Sequence, residues 1–146
     1  MIRKQTRGFT LVEALVALVV LSIGLLGVAA LQLSSLQSNS SAASRSQATL
    51  LAYEVVDRMR ANQSAALGGA YDITFAQTPS GSTVAKTDLI GWRQDLTATL
   101  GPTATGQISR NVTGTTTTFV VSIRWSDITD NGGARVPLTF DTETQL

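Results

Sequence analysis

Residues 8–13 read Gly8-Phe9-Thr10-Leu11-Val12-Glu13, and Ala14 to Leu31 then read ALVALVVLSIGLLGVAAL. Those 18 residues carry no charge, and the uncharged run continues to Ser44. At about 1.5 Å per residue they form a helix of roughly 27 Å, close to the ~30 Å hydrocarbon core of a bilayer. Ahead of them stand Arg3, Lys4 and Arg7, with no acid before Glu13, so the positive-inside rule keeps the N-terminus cytoplasmic and sends the remainder outward. Three of the 11 basic side chains lie in residues 1–8, and the 8 that follow are set against 10 acidic ones.

Composition narrows the chemistry. The 146 residues contain neither His nor Cys, which removes disulfides, thiol nucleophiles, imidazole bases and the usual zinc ligands. Ser and Thr lack a histidine partner, and no close carboxylate pair stands in a recognisable constellation, so a non-enzymatic chain without cofactor or metal is expected. The net charge of +1 gives no basic field for nucleic acid.

A secretory signal peptide shares the pattern of basic start, apolar run and small-residue exit at Val28, Ala29 and Ala30. Against it stands Glu13, because a carboxylate near the bilayer centre costs ~2.5 to 3.5 kcal/mol on insertion scales. The Gly8-Phe9 junction, the acid four residues on and the apolar span directly behind it resemble the class III signal of type IV prepilins and type II secretion pseudopilins. The resemblance implies cleavage by a prepilin peptidase between Gly8 and Phe9, with N-methylation of Phe9. Gly8 lets the backbone approach a protease closely, and Arg3, Lys4 and Arg7 hold the leader at the headgroups. Glu13 falls in the first turns of the mature helix, where a carboxylate complements the helix dipole. The family implies that it pairs with the free amine of a neighbouring subunit's first residue, here Phe9. An out-of-register subunit would then leave two charges unpaired in a low-dielectric setting.

Beyond Leu31 the chain turns polar without a breaker; the first proline is Pro79. Gln47, Leu51, Val55 and Met59, with Leu50 and Val56 beside them, form one apolar stripe. Glu54 and Arg58 form an i, i+4 pair. A helix of over 50 residues is therefore expected, ending near Leu67 at Gly68-Gly69, with its serine-rich middle as the place to bend.

Residues 71–146 hold 17 threonines, which suit strands. Asp88 to Leu100 reads as a short helix with Asp88 as N-cap and Leu89, Trp92, Leu96 and Leu100 on one side, stopped by Gly101-Pro102. Gly106–Val112 and Thr116–Trp125 read as a hairpin, with Phe119, Val121, Ile123 and Trp125 on the face that covers the helix stripe. A last strand from Ala134 to Asp141 follows the turn Asp130-Asn131-Gly132-Gly133. Tyr71–Phe75 is a short strand candidate in a long loop.

The expected organisation is a leader (1–8), a membrane and filament-core helix (9–33), an amphipathic second half (34–68) and a head with an antiparallel sheet (69–146). It is an α+β chain of the pilin fold. Three phrases, Asp57-Arg58-Met59-Arg60-Ala61-Asn62, Trp92 ahead of Leu100-Gly101-Pro102, and Val121-Ser122-Ile123-Arg124-Trp125-Ser126-Asp127, look like minor pilins of the PilV type. That resemblance implies a single-pass inner-membrane subunit that enters an extracellular type IV pilus. Its implied partners are the lipid bilayer, the inner-membrane assembly platform, and other minor and major pilins; its implied outputs are pilus biogenesis, twitching motility or adhesion. The alternatives are a periplasmic minor pseudopilin of type II secretion and a DNA-uptake pilin that uses Arg58, Arg60, Arg93, Arg110, Arg124 or Arg135. Asp127, Asp130 and Asn131 with Gly132 are weighed as a calcium loop but read as a turn. Asn62-Gln63-Ser64 and Asn111-Val112-Thr113 match a glycosylation pattern and are given no role.

Overall fold

The computed structural model describes residues 8–128 and 135–146. The leader charges Arg3, Lys4 and Arg7 lie outside that range, as do Ala134 and the turn Asp130–Gly133 with its calcium candidates Asp130 and Asn131. Six elements follow in order: helices α1 (Leu11–Ala61), α2 (Gln63–Leu67) and α3 (Val84–Leu100), then strands β1 (Thr105–Thr113), β2 (Thr116–Ile128) and β3 (Arg135–Gln145). The long N-terminal helix with a small antiparallel sheet gives the expected α+β class. Two compact units divide the chain, Met1–Ser38 and Asn39–Leu146, and α1 runs through the boundary.

In the first unit every described residue from Gly8 to Leu36 is exposed, although most of them are large aliphatics. A helix that is apolar all round and buried against nothing is made for a non-aqueous surrounding. Its one hydroxyl in the apolar run, Ser22, donates to the Leu18 carbonyl at 2.7 Å, so no donor is left unsatisfied there. The serine-rich stretch does not interrupt α1. Just beyond it Ser44, Ser46 and Thr49 each donate back to the carbonyl four residues earlier, at 3.0–3.1 Å.

In the second unit α1 buries Ala48, Leu51, Ala52, Val55, Val56 and Met59. The stripe is thus shifted from the expected one: Gln47 and Leu50 are exposed, and Ala48 and Ala52 take the inner positions. Spacing of 4, 3 and 4 from Ala48 to Met59 follows the 3.6-residue turn more closely than a strict repeat of four. Two alanines also allow close approach of the elements packed there. The helical path breaks at Asn62, resumes through α2, and turns away at Gly69, whose φ of +86° is one that L side chains rarely adopt.

Helix α3 starts a turn earlier than expected. Thr83 is its N-cap and accepts from the Lys86 N–H at 3.4 Å, while Asp88 sits inside the helix with its carboxylate on another partner. Ala85 extends the buried series Leu89, Trp92 and Leu96 by one turn, and Leu100 is half-buried. The sheet order is β1-β2-β3, antiparallel throughout, with the two-residue loop Gly114-Thr115 closing the first hairpin. Phe119, Val121, Ile123 and Trp125 all face the core, as the alternation required. The strand expected at Tyr71–Phe75 is reduced to one bridge, Ile73 to Ile108.

Trp92 holds the centre. Its indole N–H donates to the Leu51 carbonyl at 3.0 Å, and its ring lies so close to β1 that a Cβ on Gly106 would sit 2.2 Å from Cη2. We expect Gly106→Ala to destabilise the folded head by about 1–3 kcal/mol through overpacking, and Gly106→Val by more. Denaturant midpoints followed by near-UV circular dichroism check this; an unchanged midpoint for both would refute it.

Candidate functional site

The N-terminal site is built on the start of α1. Gly8, Phe9 and Thr10 precede the helix and are exposed, Phe9 to 78%. No atom of the described residues would meet a Cβ added at Gly8 within 4 Å. Thr10 is the cap: its hydroxyl oxygen accepts from the Glu13 N–H at 3.3 Å, and its carbonyl accepts from Ala14 N at 3.2 Å. Thr10-Leu11-Val12-Glu13 therefore has the spacing of a capping box, a signal that was available in the sequence and points to Thr10 as well as Glu13. The Glu13 carboxylate is in the first turn, where the helix dipole favours it, and it makes no ion pair among the described residues. Gly8 and Phe9 thus stand just ahead of α1 and Glu13 in its first turn, while Arg3, Lys4 and Arg7 lie outside the described residues.

Apolar character continues without relief behind this start. Among the described residues α1 is the helix long and apolar enough to cross a membrane, and none of its apolar window is buried.

In the second unit the polar side chains turn inward on one another. Arg58 donates to Glu54 at 2.5 Å, to Asp95 at 3.2 Å and to the Asp88 carbonyl at 3.1 Å, so it ties α1 to α3. The Tyr71 hydroxyl donates to the Asp88 carboxylate and accepts from Asn62 Nδ2 at 3.3 Å, which pins the break between α1 and α2 to α3. Asn62 is thereby engaged inside the fold. Arg60 pairs with Asp57 at 2.9 Å. Arg110 reaches Asp72 at 3.6 Å and also donates to the Leu67 carbonyl at the end of α2. Arg93 donates to the carbonyls of Thr74 and Gln77 and to the Thr105 hydroxyl. Arg124 lies 4.1 Å above the Phe75 ring. Five of the six arginines considered for a nucleic-acid groove are therefore spent on internal partners, and Arg135, the first residue of β3, has no ion pair among the described residues. Among the described residues no group of three or more His, Cys, Asp or Glu side chains converges as a metal site would need.

Two known families match parts of the chain. Residues 3–29 match the model of the prokaryotic N-terminal methylation motif, and residues 30–89 match the model of type IV pilin Tt1218. No curated protein and no solved structure matches the chain.

Two measurements follow from the geometry. Burial, reinforced by the hydrogen bond to Asp88, raises the Tyr71 phenol from 10.0 to about 12. The fold favours the protonated form, so this contribution is complete below the unfolded pKa of about 10 and is lost as pH rises toward the folded value. Near-UV circular dichroism should show tertiary structure loosening across that window, and Tyr71→Phe should remove that loss; an identical alkaline profile in the variant would overturn the assignment. Separately, Thr10→Ala should fray the first turn of α1, at a cost of about 1 kcal/mol of helix stability. Faster amide exchange at Leu11–Glu13 is the readout.

Proposed function

The chain belongs to the type IV pilin family, and from that membership we propose that it is a minor pilin, a structural subunit built into a type IV pilus or priming its assembly. The N-terminal methylation motif implies processing by a prepilin peptidase and incorporation with other pilins. The cut falls between Gly8 and Phe9, and Phe9 is methylated. Arg3, Lys4 and Arg7 keep the leader on the cytoplasmic side, where an inner-membrane peptidase acts. The apolar part of α1 remains in the mature subunit, first as a single-pass anchor and then as a helix packed among sister helices.

One observation carries this reading: a carboxylate with no ion pair among the described residues, Glu13, capped into the first turn of a helix whose following residues are apolar and exposed on every side. In water such a helix would aggregate, and in lipid an isolated carboxylate is expensive. A filament offsets both, because neighbouring helices cover the aliphatics and the amine of a neighbour's Phe9 meets the Glu13 carboxylate. A subunit one turn out of register loses the pair, so the charge selects register while the aliphatics supply affinity.

The minor-pilin assignment rests on the likeness of three phrases to PilV-type pilins, and their residues anchor the head: Met59, Trp92, Val121, Ile123 and Trp125 are buried, and Arg58 joins α1 to α3. Twitching motility and adhesion are then outputs of the whole pilus. A pseudopilin of type II secretion would share the same N-terminal chemistry and would co-purify with secretion components in place of pili.

Mass spectrometry of the mature N-terminus tests the processing. A methylated Phe9 is expected; a chain beginning at Leu31 would overturn it. Glu13→Ala should still be cleaved yet enter filaments at least tenfold less often, as counted in sheared pili. Normal incorporation would remove the register role.

A further inference from the structure

We propose that the groove between α1 and β3 docks a second copy of this chain, which presents the carboxylates of its Asp141 and Glu143 to Arg45. The groove has a volume of about 400 Å³; Arg45 and Thr49 of α1 form one wall, and Trp125, Leu138 and Phe140 of the sheet form the other. Leu138 and Phe140 are half-buried, packed against the core on one side and open to the groove on the other.

Arg45 is the one charged residue between Glu13 and Glu54. Among the described residues it makes no ion pair and no side-chain hydrogen bond, so a cation stands over an apolar floor with no described anion of its own. Elsewhere in the head the carboxylates are taken: Glu54 and Asp95 by Arg58, Asp57 by Arg60, Asp72 by Arg110, and Asp88 by Tyr71. The described carboxylates left over in β3 are Asp141 and Glu143, both exposed and without an ion pair. They are two residues apart, about 7 Å along the strand, and point to the same face.

That face is the one opposite the groove. In β3 the residues Leu138, Phe140, Thr142 and Thr144 alternate with Thr139, Asp141, Glu143 and Gln145, and the register pairs Leu138 with Trp125 and Phe140 with Ile123 on the core side. β3 is also an edge of the sheet, so a neighbour can reach its acidic face without displacing another strand of the described residues. Cation and anions thus sit on opposite faces of one sheet. Two copies related by a two-fold axis would set Arg45 groove against Arg45 groove, like charge against like. A head-to-tail arrangement joins groove to acidic face, leaves the next groove open, and repeats without closing. The inference goes beyond the proposed function, since it assigns a specific contact between heads and does not need the minor-pilin role.

The natural chain has no cysteine, so a single introduced thiol is unique. Two differently tagged full-length copies are co-expressed in membranes, one carrying Thr49→Cys and the other Gln145→Cys, and treated with a short bis-maleimide. A cross-link between the two tags is expected. Arg45→Glu in the groove copy should lower the yield at least tenfold, and adding Asp141→Lys with Glu143→Lys in the other copy should restore it. The Arg45 side chain is exposed and makes no ion pair among the described residues, so its reversal leaves the fold intact; association through the apolar helix alone would not respond to these charges. An unchanged yield with Arg45→Glu overturns the proposal, as does failure of the reversed pair to restore it. A dominant product between two Thr49→Cys copies, or cross-links to other pilins only, overturns it equally. The methylated Phe9 terminus is read on the same samples, so a processed chain with no charge-dependent cross-link rejects this contact and leaves the proposed function standing.

Discussion

The Trp92 indole is the contact on which the head depends. It reaches α1 through the Leu51 carbonyl and β1 through the bare backbone at Gly106, while its own helix, α3, buries Ala85, Leu89 and Leu96 around it. With few aromatics and no disulfide, the chain has one large, two-ended anchor to bring three elements together. The remaining core fits around it, with Tyr71, Phe119 and Trp125 set among alanines and aliphatics. Ala48 and Ala52 on α1 have no bulk to hold α3 or the sheet away.

Around that core runs a polar frame that is almost fully consumed within the head. Arg58, Tyr71, Asp88 and Asn62 secure the place where α1 gives way to α2, and Arg93 and Arg110 secure the loop that follows. A helix so pinned at one end, and apolar and uncovered along the other, has two different demands on one rod. The head needs a fixed stripe against the sheet. The N-terminal half needs a continuous apolar surface and one charge, Glu13, at a defined position. The family to which the chain belongs makes that combination intelligible, because a filament subunit must be soluble at one end and insoluble at the other.

Much of this was legible residue by residue. Phe119, Val121, Ile123 and Trp125 alternate so regularly that their face could be assigned without coordinates, and they are buried. The reach of the long helix followed from the absence of proline before Pro79. The phase of the α1 stripe was misread because Leu50 outweighs Ala48 and Ala52 on any hydrophobicity scale, yet close packing selects the alanines. The start of α3 differs from the sequence expectation for a related reason: Asp88 is a good cap by composition, but Thr83 caps five residues earlier and Asp88 is drawn into the fold by Tyr71. The break at Asn62 carries no proline or glycine; there the Asn62 amide donates to the Tyr71 hydroxyl, a contact beyond helical spacing.

The sequence by itself determined the start of α1, because the Thr10 cap, Glu13 and the apolar run depend on local spacing along one helix. It likewise determined the strand faces, since their period of two is a property of the backbone. Only the tertiary structure decided which polar groups are spent and which are left. Arg58 and Arg45 are both arginines on α1, yet one is enclosed by carboxylates of α1 and α3 while the other stands unpaired above Leu138 and Phe140. Spacing within α1 reveals Glu54 as a partner of Arg58, but the bond to Asp95 and the surroundings of Arg45 depend on which elements lie beside each residue in space.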